Sequence, residues 1–189
     1  LFVIRNAGNI IPPYGATNGG EGATIEYAIK SLDIQHIVVC GHTTCGAMKG
    51  LLQVGELEAK MPLVYNWLKH TEATRELVEE HYSHLPKPEK LSTLVAENVL
   101  TQIDNLKTYP SVRSHLHRNE VAIHGWIYNI EDGTVLTYDR PNHRFVTIAE
   151  LENSQQSRAQ LAQSTQGSSR LSQGQRDRIF RGSPAFYHR

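Results

Sequence analysis

Short unbroken apolar runs alternate with widely spaced apolar stripes along roughly the first 150 residues. Leu1-Phe2-Val3-Ile4 and Ile37-Val38-Val39-Cys40 are runs of the first kind, the second enriched in β-branched residues, and both predict buried strands. Between them, Ile25, Ala28, Ile29 and Leu32 recur at helical spacing, so Glu21 to Leu32 predicts a helix. Strand, helix and strand within about forty residues make a βαβ unit, whose two strands should lie parallel. Both strands read as apolar on each face, which suits a sheet with helices on both sides. The loop NAGNIIPPYGATNGG, rich in Gly, Pro and Asn, joins the first strand to the helix.

Stripes dominate the middle of the chain. Val64, Trp67, Leu68 and Val78 place helix between Met61 and about Tyr82, ended by LPKPEK. Leu91, Leu94, Val95, Val99, Ile103 and Leu106 mark a second long helix, and Tyr109-Pro110 closes it or starts another. Two further strands, Glu120 to Ile130 and Thr134 to Tyr138, flank the hairpin signal Glu131-Asp132-Gly133, and Phe145 to Ile148 predicts a last short strand. The expected class is α/β, with a central mostly parallel sheet flanked by helices over residues 1–150 and a C-terminal extension over 151–189.

The extension differs in composition. Residues 151–189 hold seven Ser, seven Gln, six Arg, no Lys and two acids, a local charge of +4, with too few apolar residues for a core. Most of it is expected to be a flexible tail. Within it, residues 176–187 gather Ile179, Phe180, Phe186 and Tyr187 among arginines, the composition of a docking peptide. Over the whole chain nineteen basic and nineteen acidic residues cancel, which gives no charge excess to argue for nucleic acid or membrane partners, and no apolar run approaches bilayer-spanning length. A chain seldom begins inside a core strand, so a segment preceding Leu1 is expected.

Chemistry concentrates in VVCGHTTCGAMKG, Val38 to Gly50. A strand ending at Cys40-Gly41 delivers His42 beyond its carboxyl end, where open α/β sheets bind ligands. Cys45 follows at the mouth of the next helix, where unpaired backbone amides favour the thiolate that a metal needs. Imidazole with thiolate suits zinc or copper better than magnesium or calcium. Gly41 and Gly46 would give the turns that aim both side chains. H-x-x-C alone is a weak signal, since zinc asks for three or four protein ligands. Cys40, two residues before His42 on the same strand face, is either a third ligand or a buried thiol, and spacing leaves both open. The other histidines, 36, 70, 81, 84, 115, 117, 124, 143 and 188, form no group completed by Cys or carboxylate in sequence and read as surface or hydrogen-bonded residues.

RNAGNIIPPYG, GGEGATIEYAI, HIVVCGHTTCGAMKGLL and HGWIYNIEDGTVLTYD, in that order, resemble the signature of β-class carbonic anhydrases. The chain is most similar to cyanobacterial carboxysomal members, whose extensions also end in a stretch like Arg178-Ile179-Phe180-Arg181-Gly182. The resemblance implies a zinc enzyme for the reversible hydration of carbon dioxide to bicarbonate, acting as a homodimer or a higher assembly of dimers. It makes His42 and Cys45 zinc ligands and Cys40 a buried non-ligand thiol. Phe2, Ala7 and Tyr27 become walls of an apolar substrate pocket at a dimer interface. The family's first zinc cysteine and its catalytic Asp/Arg pair belong to a C-x-D-S-R stretch that these 189 residues lack, so no catalytic residue is identified here. A cytoplasmic location within carboxysomes, with a scaffold or shell partner for the tail, completes the implied picture. The alternative class is a metal-free module of the same fold that acts through its tail.

Overall fold

The computed structural model describes residues 1–16 and 19–168, with side chains through Gln160. Two compact units divide the chain, Leu1–Ile148 and Ala149–Arg189. The first is an α/β unit built on four strands in the order β1 (His36–His42), β2 (Ala122–Tyr128), β3 (Val135–Asp139) and β4 (Arg144–Thr147). β1 and β2 run parallel, in register from His36 opposite Ala122 to His42 opposite Tyr128, whereas β2–β3 and β3–β4 are antiparallel. A parallel pair needs a long return path. Here it is helical: α1 (Gly20–Ser31) precedes β1, and α2 (Gly46–Leu51), α3 (Val54–Lys60), α4 (Pro62–Leu68), α5 (Glu72–Tyr82), α6 (Lys87–Thr108) and α7 (Pro110–His117) fill the crossover to β2.

Helix α6 organises the core. Pro88 suits its first turn, and Leu91, Leu94, Val95, Val99, Ile103 and Leu106 are buried along one face, as their i, i+3, i+4 spacing predicts. It ends where Pro110 forces Tyr109 into an extended conformation, φ −72° and ψ 123°. α6 packs on β1 and β2 through the buried residues Val39, Gly41, Ile123, Gly125 and Ile127. Two glycines on that face set the approach distance. A Cβ at Gly41 would stand 2.9 Å from Val99 Cγ2 and 3.3 Å from Val95 Cγ1, and one at Gly125 would stand 3.0 Å from Ile103 Cδ1. Gly41→Ala is therefore expected to destabilise the unit by about 1–3 kcal/mol through overpacking, read as a lowered urea midpoint at unchanged m-value.

Alternation explains a correction. Residues 37, 39 and 41 face α6, so His36, Val38, Cys40 and His42 share the opposite face, where Val38 is 41% exposed and Cys40 is exposed as well. The expectation of a buried Cys40 fails for this reason: an apolar run does not disclose which of its two faces the core takes. A second correction concerns Leu1 to Ile4, which are exposed and form no strand, so α1 leads into β1 without the predicted first partner. Apolar, β-branched composition supplies propensity, but a strand exists only through a ladder with a neighbour.

The hairpin between β2 and β3 closes as its sequence indicates. Gly133 takes φ +77°, its N–H donates to Asn129 O (2.9 Å), and the Thr134 hydroxyl and N–H hold the Asp132 carboxyl below its ordinary range. In the second unit, α8 (Ile148–Ser168) is helical where a flexible tail is expected from residue 151. Ala, Leu, Gln, Glu and Arg are good helix formers whether or not they build an apolar stripe, and the stripe is what residues 151–168 lack. The 176–187 peptide lies outside the described residues. Among the described residues no helix is long and apolar enough to cross a membrane.

Candidate metal centre

The end of β1 and the start of α2 carry the two predicted ligands. His42 is the last residue of β1 and is half-buried. Its Nδ1 lies 2.9 Å from Thr43 O, and because a carbonyl only accepts, Nδ1 carries the hydrogen. Nε2 of the neutral ring is then left with a lone pair, the arrangement found in metal-ligating imidazoles oriented by a carbonyl. Cys45 immediately precedes α2, is 4% exposed, and lies in the core cluster with Met48 and Leu51. The chain between the two turns at Thr44, φ +54°, rather than at a glycine. The reason for glycine at Gly41 is thus the nearness of α6 rather than a tight turn.

Thr43 ties this loop to the hairpin. Its N–H donates to Tyr128 O (3.0 Å), its hydroxyl donates to Asn129 Oδ1 (3.3 Å) and accepts from Ile130 N–H (3.1 Å), and its carbonyl receives the His42 ring. One residue therefore connects the imidazole to a turn some 87 positions away in sequence. Nothing in the sequence pattern signals this. Thr43→Val keeps the shape and removes the hydroxyl, and zinc affinity is expected to fall by about 10–100-fold. Thr43→Ser should restore most of it, as read by chelator competition.

His42 and Cys45 supply a nitrogen and a soft sulfur, a donor set that fits zinc. Among the described residues no group of three or more His, Cys, Asp or Glu side chains is arranged to hold a metal, so Cys40 does not complete a triad with them. Cys40 is exposed as a residue, yet its sulfur leans on backbone, 3.4 Å from Gly41 O. Desolvation there raises the thiol pKa, partly offset by a hydrogen bond with the Tyr128 backbone. That environment favours a neutral thiol.

The predicted pocket residues divide. Ala7 opens a 3-10 turn, Ala7–Asn9, that packs against β1 and α2, the elements bearing His42 and Cys45, and Ala7 O accepts from Trp67 Nε1 (2.8 Å). Phe2 and Tyr27 are 46% and 56% exposed and lie outside the buried core.

A polar stripe on α6 holds the turn beside the site. Asn98 Nδ2 donates to Gly8 O (2.8 Å), while Asn98 Oδ1 accepts from the Thr71 hydroxyl (2.8 Å) and Gln102 Nε2 (2.9 Å). Gln102 Oε1 accepts from Ile11 N–H (2.8 Å), Asn105 Nδ2 donates to Ile11 O (2.8 Å), and Tyr109 OH donates to Pro12 O (2.8 Å). Asn98 and Gln102 are fully buried, so each bond replaces water that cannot reach it. Sequence reasoning missed these residues, although amides at 98, 102 and 105 share one helix face beside the apolar stripe.

The family model described as carbonic anhydrase matches residues 1–135. The carbonic anhydrase of Synechocystis is 63% identical over 146 residues, 77% of this chain and 53% of that protein. That of Synechococcus elongatus is 62% identical over 140 residues, 74% of this chain and 52% of that protein. The structure of the β-carbonic anhydrase CcaA superposes with a TM-score of 0.76 at 62% identity, covering 77% of this chain and 71% of that one. A structure of tetrameric β-carbonic anhydrases from Sordaria macrospora superposes at 0.62 with 28% identity, covering 72% and 66%. The chain belongs to the β-carbonic anhydrase family. It spans about half the length of the two cyanobacterial relatives.

Proposed function

We propose that this chain carries the imidazole and one thiolate of a zinc centre, and that the complete gene product catalyses the reversible hydration of carbon dioxide to bicarbonate. The reading rests on His42, whose Nε2 lone pair is freed by the Thr43 carbonyl at the strand end three residues before Cys45, in a chain 63% identical to a carbonic anhydrase. When bound, zinc supplies the Lewis acidity that makes water a nucleophile near neutral pH. The protein's part is to hold and shield. His42 donates through Nε2, Cys45 donates sulfur from the core, and Thr43 fixes the ring's orientation. A further cysteine and the Asp/Arg pair are required of residues outside the 189 described by the sequence. Carbon dioxide is apolar, so Phe2, Ala7 and Tyr27 are assigned to its pocket. Because Phe2 and Tyr27 are exposed in the single chain, the pocket is assigned to an interface with a second copy in a homodimer or an assembly of dimers.

The test is stopped-flow hydration by the complete gene product before and after zinc is stripped by a chelator. Activity should vanish with the metal and return with added zinc. Activity that persists in zinc-free protein would refute the reading.

A carboxysomal location is proposed from the cyanobacterial relatives and from the Arg/aromatic segment of the tail. Deleting residues 176–189 is expected to leave turnover of the purified protein unchanged and to abolish co-purification with a shell or scaffold partner. A collapse in turnover would instead assign the tail to the catalytic assembly.

A further inference from the structure

A second pair of nitrogens faces together at the other end of β1. His36 and His124 are 88 positions apart in sequence, and the parallel register that sets Val38 opposite His124 makes them diagonal neighbours on one sheet face. His36 Nδ1 and His124 Nε2 stand 3.1 Å apart, with ring centroids at 5.3 Å and planes tilted by 43°. We propose that His36 and His124 form a bidentate site for a divalent transition metal such as zinc, nickel or copper, separate from the His42–Cys45 centre.

The separation of the two nitrogens has the right size for this. Two metal–nitrogen bonds of about 2.0–2.1 Å spanning 3.1 Å subtend roughly 100° at the metal, between the square-planar and tetrahedral angles. Without a metal, one imidazole N–H donates to the other ring's lone pair. On binding, the donating ring moves its hydrogen to its far nitrogen and a modest rotation of both rings turns two lone pairs to one point, so neither ring needs to lose a proton. Burial, the neighbouring His36 and Arg140 all depress the pKa of His124, which keeps that ring neutral and able to donate. Arg140 also disfavours a hard cation held by charge alone, so the site selects metals that bind through imidazole nitrogen; its guanidinium is turned to Ile123 O at 3.4 Å. Six residue steps along β1 separate His36 from His42, about 20 Å. A metal here bridges β1 and β2 without entering the His42 centre, and it stabilises the native pairing by mass action.

The test is nickel titration of the full-length protein already loaded with one zinc per chain, so that the His42–Cys45 centre is filled, by calorimetry and by thermal shift. One equivalent should bind and raise the Tm. His36→Gln and His124→Gln should each weaken that binding roughly tenfold or more, while Cys45→Ser leaves it in place. His36 is exposed, so His36→Gln is expected to fold, with an unchanged Tm in chelator as the check, and it decides the matter if His124→Gln does not fold. Nickel binding that is unaltered in His36→Gln, or that disappears instead in Cys45→Ser or His81→Gln, would overturn the assignment.

Discussion

Cys45→Ser in the complete gene product is expected to cut zinc affinity by about a thousandfold or more and to bring carbon dioxide hydration down to the background rate. Serine keeps nearly the same volume but offers a hydroxyl that is not ionised near neutral pH, in place of a soft thiolate. Cys45 is buried in the core cluster that also holds Met48 and Leu51, and serine is nearly isosteric with it, so the fold should survive while the metal is lost. Far-UV circular dichroism unchanged from wild type, with zinc below about a tenth of an equivalent by elemental analysis, is the expected pair of results. A variant that keeps both zinc and turnover would remove Cys45 from the centre.

Asn98→Ala is expected to be the most damaging single change to the support of the site. Asn98 is fully buried and serves as acceptor for the Thr71 hydroxyl and Gln102 Nε2 and as donor to Gly8 O. Truncation leaves the Gly8 carbonyl without this donor, while Gln102 Nε2 keeps only a long contact of 3.4 Å to the Thr71 oxygen. Unsatisfied buried polar groups cost about 1–3 kcal/mol each, so a total near 3 kcal/mol is expected, lowering Tm by about 6–12 °C. Because Gly8 belongs to the turn that packs on β1 and α2, zinc affinity should fall in parallel. Asn98→Asp removes the donor to Gly8 O and should rescue neither property. A Tm shift under about 2 °C for Asn98→Ala would show that the stripe is not what holds the turn.

The parts of this structure that could be read from sequence are those fixed by local periodicity. α6 follows from apolar positions 91, 94, 95, 99, 103 and 106 together with a proline at each end, and the β2–β3 hairpin follows from Glu131-Asp132-Gly133 between two alternating runs. What could not be read depends on partners distant in the chain. Leu1 to Ile4 have strand propensity and no ladder. Cys40 lies on the face that α6 does not cover, and its apolar neighbours gave no hint of that. Gly41 reads as a turn residue in sequence, whereas its place is set by Val99, 58 residues later.

The site shows the same division. His42 and Cys45 stand out because their residue types are scarce and their three-residue spacing falls at a strand-to-helix junction. The residues that orient them do not stand out. Thr43 acts through the hairpin at Asn129 and Ile130, and Asn98 and Gln102 act through backbone atoms of residues 8 and 11. Threonines and amides are common on surfaces, so only the fold reveals that these are the buried or bridging ones.

Zinc K-edge X-ray absorption on the complete gene product tests the proposed centre most directly. A first shell containing imidazole nitrogen near 2.0 Å and sulfur near 2.3 Å is predicted, with that bound-zinc signal lost in Cys45→Ser and the imidazole signature disappearing in His42→Ala. A shell of nitrogen and oxygen alone, or one that neither substitution changes, would contradict it.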